Sequence, residues 1–267
     1  GYLRHARADA LLWQDFSRKP SADDARCEPD RSRGIPGKKR LWAIETSAES
    51  CSVALDTEVG VLERFEHAPM QHAELILPFV SSLLNEAGMQ MSDVDAVAFG
   101  RGPGSFTSLR IGIGVVQGLA WGANRPVIPV SSLAAVAQVA VESHGGLAKG
   151  SEIVVAMDAR MQEVFHAVFR LQADGLVASL GEERVGPPGQ LSPVGNWVAA
   201  GNGFERYEAL AAMASAAQAC LADAWPRASA VLKLARAWLT RNDPLPAALA
   251  QPVYIRNDVA VKPVGPT

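Results

Sequence analysis

From Arg40 onward the chain alternates short apolar runs with polar turns. Leu41-Trp42-Ala43-Ile44 runs into Glu45-Thr46-Ser47, and Cys51-Ser52-Val53-Ala54-Leu55 follows after a polar turn, which predicts a hairpin of two short strands. Val59 to Glu66 offers a third strand, with Val61 and Phe65 on one face and Leu62 and Arg64 on the other. At His72 the period changes. Leu75, Ile76, Phe79, Val80, Leu83 and Leu84 recur at spacings of three and four, predicting a helix from His72 to Glu86 that Gly88 closes. Asp95 to Gly100 reads as an apolar strand, Ser105 to Gly122 as a second apolar helix, Val127 to Pro129 as a short strand, and Ser131 to His144 as a third helix.

Three strands followed by helix, strand, helix, strand, helix is the order of the ribonuclease H-like half-domain of actin, Hsp70 and sugar kinases. Ile153 to Met157, Val164 to Leu171 and Gly175 to Leu180 restart a strand meander, as a second half would, and helices are predicted at Phe204 to Ala219 and Ala228 to Thr240. Glu182 to Trp197, with Pro187-Pro188-Gly189 and Pro193, reads as a long loop. The predicted fold is therefore α/β, a duplicated two-lobed actin-like architecture with lobes over residues 40–130 and 131–267. Residues 1–39 mix Arg, Asp, Ser, Pro and Gly without periodicity and read as a disordered extension or the product of a misplaced start.

At 267 residues and 48% apolar content the chain is long enough for one large core or two modest ones. A formal charge of −3, with 25 Lys and Arg scattered along it, leaves no basic stripe to hold a phosphate backbone, so a nucleic-acid role requires a partner. Cys27, Cys51 and Cys220 form no Cys-x-x-Cys and are odd in number, which argues against a zinc ribbon or disulfide framework and fits a reducing cytoplasm. No apolar stretch is long enough for a transmembrane helix, since Gly112, Gly114, Gln117 and Gly118 interrupt Ile111 to Trp121.

The densest chemical signal is Gly100-Arg101-Gly102-Pro103-Gly104-Ser105-Phe106-Thr107, between a buried strand and a helix. Gly102, Gly104 and Ser105 suit an anion at the helix start, and they suit equally a tight strand-to-helix crossover. The loop is neither a complete G-x-G-x-x-G nor a Walker loop. Glu45 and Ser47 fall where actin-like ATPases place a carboxylate and a hydroxyl toward metal and phosphates. Asp158-Ala159-Arg160 is the one counterpart turn in the second half, and it has no glycine-rich loop. The five histidines contain no His-Glu-x-x-His, which argues against a metalloprotease, and His72 is expected to cap its helix or lie exposed. No Gly-x-Ser-x-Gly supports serine hydrolysis. The first two helices are apolar most of the way round, which requires burial on two sides. The second side is either a partner, with Gly112, Gly114 and Gly118 letting backbones approach, or the chain's own third helix.

At these residues the chain resembles the bacterial TsaB (YeaZ) family. The segments that carry the resemblance are Leu41 to Ser47, Cys51 to Leu55, His72-Ala73-Glu74 with Leu77-Pro78, Gly100 to Gly114, Asp158 to Met161 with Glu163-Val164-Phe165, and Pro252 to Asn257. The resemblance implies a non-catalytic subunit of the machinery that places threonylcarbamoyl on adenosine 37 of tRNA, with tRNA reached only through the complex. Its partners would be a TsaD-type transferase subunit, a TsaE-type ATPase and, when alone, a second copy of itself. It would hold no cofactor of its own, with metal in the transferase and ATP or ADP with magnesium at most at a subunit junction. The first two helices would pack against the transferase, with Leu75, Ile76, Phe79, Val80, Leu83, Ile113, Val116, Gln117 and Ala120 as interface residues. Ser108 stands where the family usually has glycine, and Glu45 where it often has aspartate. The alternative is an autonomous ATP-binding small-molecule kinase using Glu45, Ser47 and the glycine loop; a peptidase lacks any constellation to support it.

Overall fold

In a computed structural model of the chain, the structure describes residues 39–191, 193 and 195–256; the extension predicted over residues 1–39 lies almost entirely outside them. The first half runs β1 (Leu41–Glu45), β2 (Ser50–Thr57), β3 (Gly60–His67), α1 (His72–Ala87), β4 (Ala96–Gly100), α2 (Phe106–Gly122), β5 (Val127–Val130) and α3 (Ser132–His144). The second runs β6 (Glu152–Asp158), β7 (Val164–Leu171), β8 (Val177–Ser179), β9 (Arg184–Gly186), β10 (Trp197–Ala200), α4 (Gly203–Arg206), α5 (Glu208–Ala214), β11 (Ala219–Leu221) and α6 (Ala228–Trp238).

The first sheet has the order β3-β2-β1-β4-β5 and the second β8-β7-β6-β10-β11, with β9 also on β7. In each, the leading strand pairs antiparallel with the next (β1 with β2, β6 with β7) and parallel with a later one (β1 with β4, β6 with β10). The duplication expected from element order is thus present, and the fold is the actin-like α/β class.

Strand periodicity decides which helices cover which face. Trp42 and Ile44 of β1 point to a core with Val97 and Phe99 and with Ile76, Val80 and Leu83 of α1 and Ile113, Val116 and Ala120 of α2. Leu41 and Ala43 point the other way, to a core with Val136 and Ala140 of α3, Val231 and Ala235 of α6, and Ile153, Val155 and Phe169 of the second sheet. Both faces of β1 and β4 are covered, which is why they read as unbroken apolar runs. The outer face of the second sheet is closed by Phe204 of α4 and Leu210 of α5 on Val154, Ala156, Trp197 and Ala199.

Helix α6 starts without a side-chain cap of its own. The first sheet supplies one: Ala228 N donates to Ser52 Oγ at 3.0 Å, Ser229 N donates to Glu63 Oε1 at 3.0 Å, and Ser52 Oγ donates to the same Glu63 oxygen at 2.9 Å. Two of the free amides of a helix start are satisfied across the fold. Beyond the short turn Ala247–Leu249, residues 250–256 form a strap over α2 and the glycine loop: Gln117 Nε2 donates to Ala250 O (2.9 Å), Val253 N to Arg101 O (2.8 Å) and Arg256 Nη2 to Ala159 O (3.1 Å).

Three expectations are corrected. The predicted helix Phe204 to Ala219 is two short helices and a strand, because Tyr207 between them has extended backbone (φ −118°, ψ 121°). The predicted loop Glu182 to Trp197 contains β9, whose Val185 pairs with Phe165. His72 neither caps nor lies exposed: it is buried, and its Nε2 lies 3.0 Å from Ala48 O and 3.2 Å from Ser50 O. Two carbonyl partners require a proton on Nε2. The imidazole thereby ties the start of α1 to the β1–β2 turn, and burial holds its pKa below the ordinary value despite those two bonds.

Candidate functional site

The residues expected to face an anion are brought together, around a carboxylate that has no solvent access. Glu45 is fully buried at the end of β1; its Oε1 accepts from Ser47 N at 2.6 Å and its Oε2 accepts from Ser132 Oγ at 2.9 Å. Burial pushes the Glu45 pKa up, with the hydrogen bonds from Ser47, Ser132 and Thr46 opposing it. The glycine loop lies directly on this turn. A methyl at Gly100 would overlap the Glu45 carboxyl group, and one at Gly104 would overlap Ser47 O, so both glycines are required by close approach. Gly102 N donates to Ser132 Oγ (3.2 Å), Ser132 N donates to Gly102 O (3.0 Å), and Ser105 N donates to Ser47 O (2.7 Å). The amides of Gly102 and Ser105 therefore already have acceptors within the protein. Ser105 is the N-cap of α2, accepting from Ser108 N, and its hydroxyl lies 3.0 Å from Ser108 Oγ. The side chain that replaces the usual glycine at 108 thus joins the cap.

The counterpart turn of the second half carries a network that the sequence did not reveal. Asp158 Oδ1 accepts from Arg160 N (3.0 Å) and Tyr207 Oη (2.6 Å), and Oδ2 accepts from Arg206 Nη1 (2.5 Å). Arg160 Nη2 also donates to Glu49 of the first turn (2.5 Å), joining the equivalent turns of the two halves. Burial and the bond to Asp158 push the Tyr207 hydroxyl to about 12. Arg160, Met161 and Gln162 are all left-handed, with φ of 61°, 55° and 60°. Each costs about 1–2 kcal/mol for a residue with a Cβ. Tyr207 Oη at 3.2 Å from Glu163 O and Arg256 on Ala159 O hold the turn from outside.

The helix pair needs a residue-level correction. Ile76, Val80, Leu83, Ile113, Val116 and Ala120 are buried in the chain's own core; Leu75, Phe79 and Gln117 are half-buried. The exposed positions lie a step round each helix: Leu77 of α1 is 50% exposed, Trp121 of α2 is 67% exposed, and Gly114 and Gly118 of α2 are exposed on the same side as Trp121 by their spacing of four and three. The apolar periodicity of α1 and α2 marks the inward stripe, and glycine, which has no hydropathy signature, marks the outward one. Gly112, grouped with these two in sequence, instead faces inward onto Thr46.

The family model described as "TsaD: tRNA N6-adenosine threonylcarbamoyltransferase" matches residues 64–234. Proteins bearing that transferase name are matched over a minor part of their length: the one from Chromobacterium violaceum is 37% identical over 110 residues, 32% of its chain. By contrast, the tRNA threonylcarbamoyladenosine biosynthesis protein TsaB of Escherichia coli (strain K12) is 37% identical over 230 residues, covering 84% of this chain and 97% of that one. The Haemophilus influenzae TsaB is 36% identical over 234 residues, 83% and 95% of the two chains.

The chain belongs to the TsaB family.

Among solved structures, "YeaZ from Pseudomonas aeruginosa" superposes with a TM-score of 0.75 at 41% identity, covering 81% of this chain and all of that one. The family resemblance read from the glycine motif and the first hairpin is thereby borne out, and the TsaB fold accounts for the described residues from β1 to α6. Among the described residues, no helix is long and apolar enough to cross a membrane.

Proposed function

We propose that this TsaB-family chain is a non-catalytic scaffold subunit in the transfer of threonylcarbamoyl to N6 of adenosine 37 in tRNAs that read codons beginning with A. It docks on a TsaD-type transferase through the open face of α1 and α2. The observation that carries this reading is the end-to-end relationship to TsaB proteins, and the exposed Leu77, Gly114, Gly118 and Trp121 give it a surface. Glycines on a helix face admit a second helix at close range, and the flanking apolar side chains supply area to bury.

In this reading the metal and the transfer step belong to the transferase, a TsaE-type ATPase joins the pair, and tRNA is reached through the assembly. A second copy of the chain takes the same face when the transferase is absent. ATP or ADP with magnesium, where it binds, sits at a junction between subunits. The buried, fully engaged Glu45 carboxylate weighs against an autonomous kinase, since a metal-binding carboxylate must be reachable by solvent and nucleotide.

Two measurements test the proposal. Mixing the chain with the TsaD-type subunit of the same organism should give a stable complex on size exclusion. Cells depleted of the chain should lose threonylcarbamoyladenosine from their tRNA nucleosides by mass analysis. An unchanged level of the modified nucleoside refutes the pathway, and the absence of a complex refutes the scaffold role.

A further inference from the structure

At the start of α2, on the ridge that leads to Gly114 and Gly118, an arginine is held in place by two aromatic rings. The Arg110 guanidinium lies 3.7 Å from the centroid of the Phe106 ring, and its Nε donates to Tyr254 Oη at 2.9 Å. The two rings pack at 5.4 Å, and Phe106 and Tyr254 are 51% and 45% exposed. Tyr254 arrives from the C-terminal strap, 144 residues later in the chain, so the arrangement is built by tertiary structure.

The neighbouring arginines contrast with it. Arg101 pairs with Glu183, Arg160 with Glu49 and Asp158, Arg206 with Asp158, and Arg256 with Glu163. Among the described residues no carboxylate pairs with Arg110. A guanidinium on a flexible stem usually loses much side-chain freedom on binding; one already stacked and hydrogen-bonded has lost it beforehand. With Nε committed to Tyr254, the two terminal nitrogens remain to grip a carboxylate as a fork.

We propose that Arg110, presented by Phe106 and Tyr254, receives an acidic side chain of the transferase subunit and fixes the orientation in which that subunit docks on the glycine face. This rests on the docking reading above and adds a charge-specific anchor to the glycine face. Docking that covers the aromatic pair would bury it beside the guanidinium and exclude water from the ion pair.

The test is calorimetric titration of the full chain with the transferase subunit at low and at high salt. Arg110→Glu is expected to weaken binding by about tenfold or more at low salt. Arg110→Gln should bind more weakly than the parent and with a flatter salt dependence, and Tyr254→Phe should lose a few-fold, roughly, by freeing the guanidinium. The melting temperature of each isolated variant should stay that of the parent, because these side chains lie at the surface. Parent affinity and parent salt dependence in Arg110→Gln would overturn the anchor. If Gly118→Ala weakens binding while Arg110→Glu does not, the anchor falls and the docking face stands; if the parent chain does not bind the transferase at all, both fall.

Discussion

Replacing Gly114 and Gly118 together by alanine separates the stability of the chain from its capacity to dock. A methyl built at either position meets nothing within 4 Å, so neither substitution crowds the folded chain. Both positions lie inside a 17-residue helix. Alanine is better than glycine in an exposed helix interior by about 0.8–1.0 kcal/mol, so the double variant should gain about 1.6–2 kcal/mol. For a body of this size that corresponds to a rise of about 3–8 °C in melting temperature. Scanning calorimetry on dilute protein measures it, dilution being needed because self-association through the same face would add its own contribution. Affinity for the transferase should move the other way. Two methyls on a ridge where helices approach at about 8–10 Å hold the partner off, and a loss of about tenfold or more is expected, equivalent to about 1.4 kcal/mol. A lower melting temperature would mean the face is not open in the free chain. A stabilised variant that binds as tightly as the parent would mean that these glycines do not touch the partner.

Gly100→Ala is the opposite case: its methyl takes the place of the Glu45 carboxyl, and overpacking plus the displaced hydrogen bonds should cost about 2–6 kcal/mol, read by urea denaturation. An unchanged midpoint would refute the close approach. His72 has a folded pKa below its ordinary 6.5, so its contribution to stability is present above that value and lost as pH falls through the lowered folded value. His166 shifts in the same direction, so the measurement is the difference between the parent and His72→Gln, whose midpoint should fall less between pH 7.5 and about pH 5. Equal slopes would remove His72 from the account. Tyr207→Phe deletes the hydroxyl that donates to Asp158 and should cost about 1–3 kcal/mol, with faster amide exchange at residues 160–163 as the local signature; unaltered exchange there would show the left-handed turn holds without it.

The succession of strands and principal helices along the first half was legible because their signal is periodic. Leu41 and Ala43 against Trp42 and Ile44 is a two-residue alternation that survives to the core. Direction is another matter: a helix apolar on two sides gives the same spacings whichever side meets the sheet, so the open side had to come from burial. The second half was read less fully, because β9 and β11 are three residues each and owe their existence to partner strands. The Asp158 network and the left-handed turn were invisible for the same kind of reason. Their members stand at 49, 158–163, 206–207 and 256, and no local pattern links them. The glycine motif was conspicuous, yet its letters were equally consistent with an anion cradle and a tight crossover; only the overlap of Gly100 with Glu45 and of Gly104 with Ser47 O shows that close approach alone demands these glycines.

The cap that Ser52 and Glu63 give to α6 spans 176 residues of sequence between Ser52 and Ala228. A ribosome adding about 5–20 residues per second needs roughly 9–35 s to cover that distance. Throughout that interval the inward face of the first sheet waits with Leu41, Ala43 and Ala98 uncovered on the side where α6 belongs. The N-terminal half is thus the first to be synthesised but among the last to be closed, and a nascent chain stalled before residue 228 would present an apolar sheet face to chaperones.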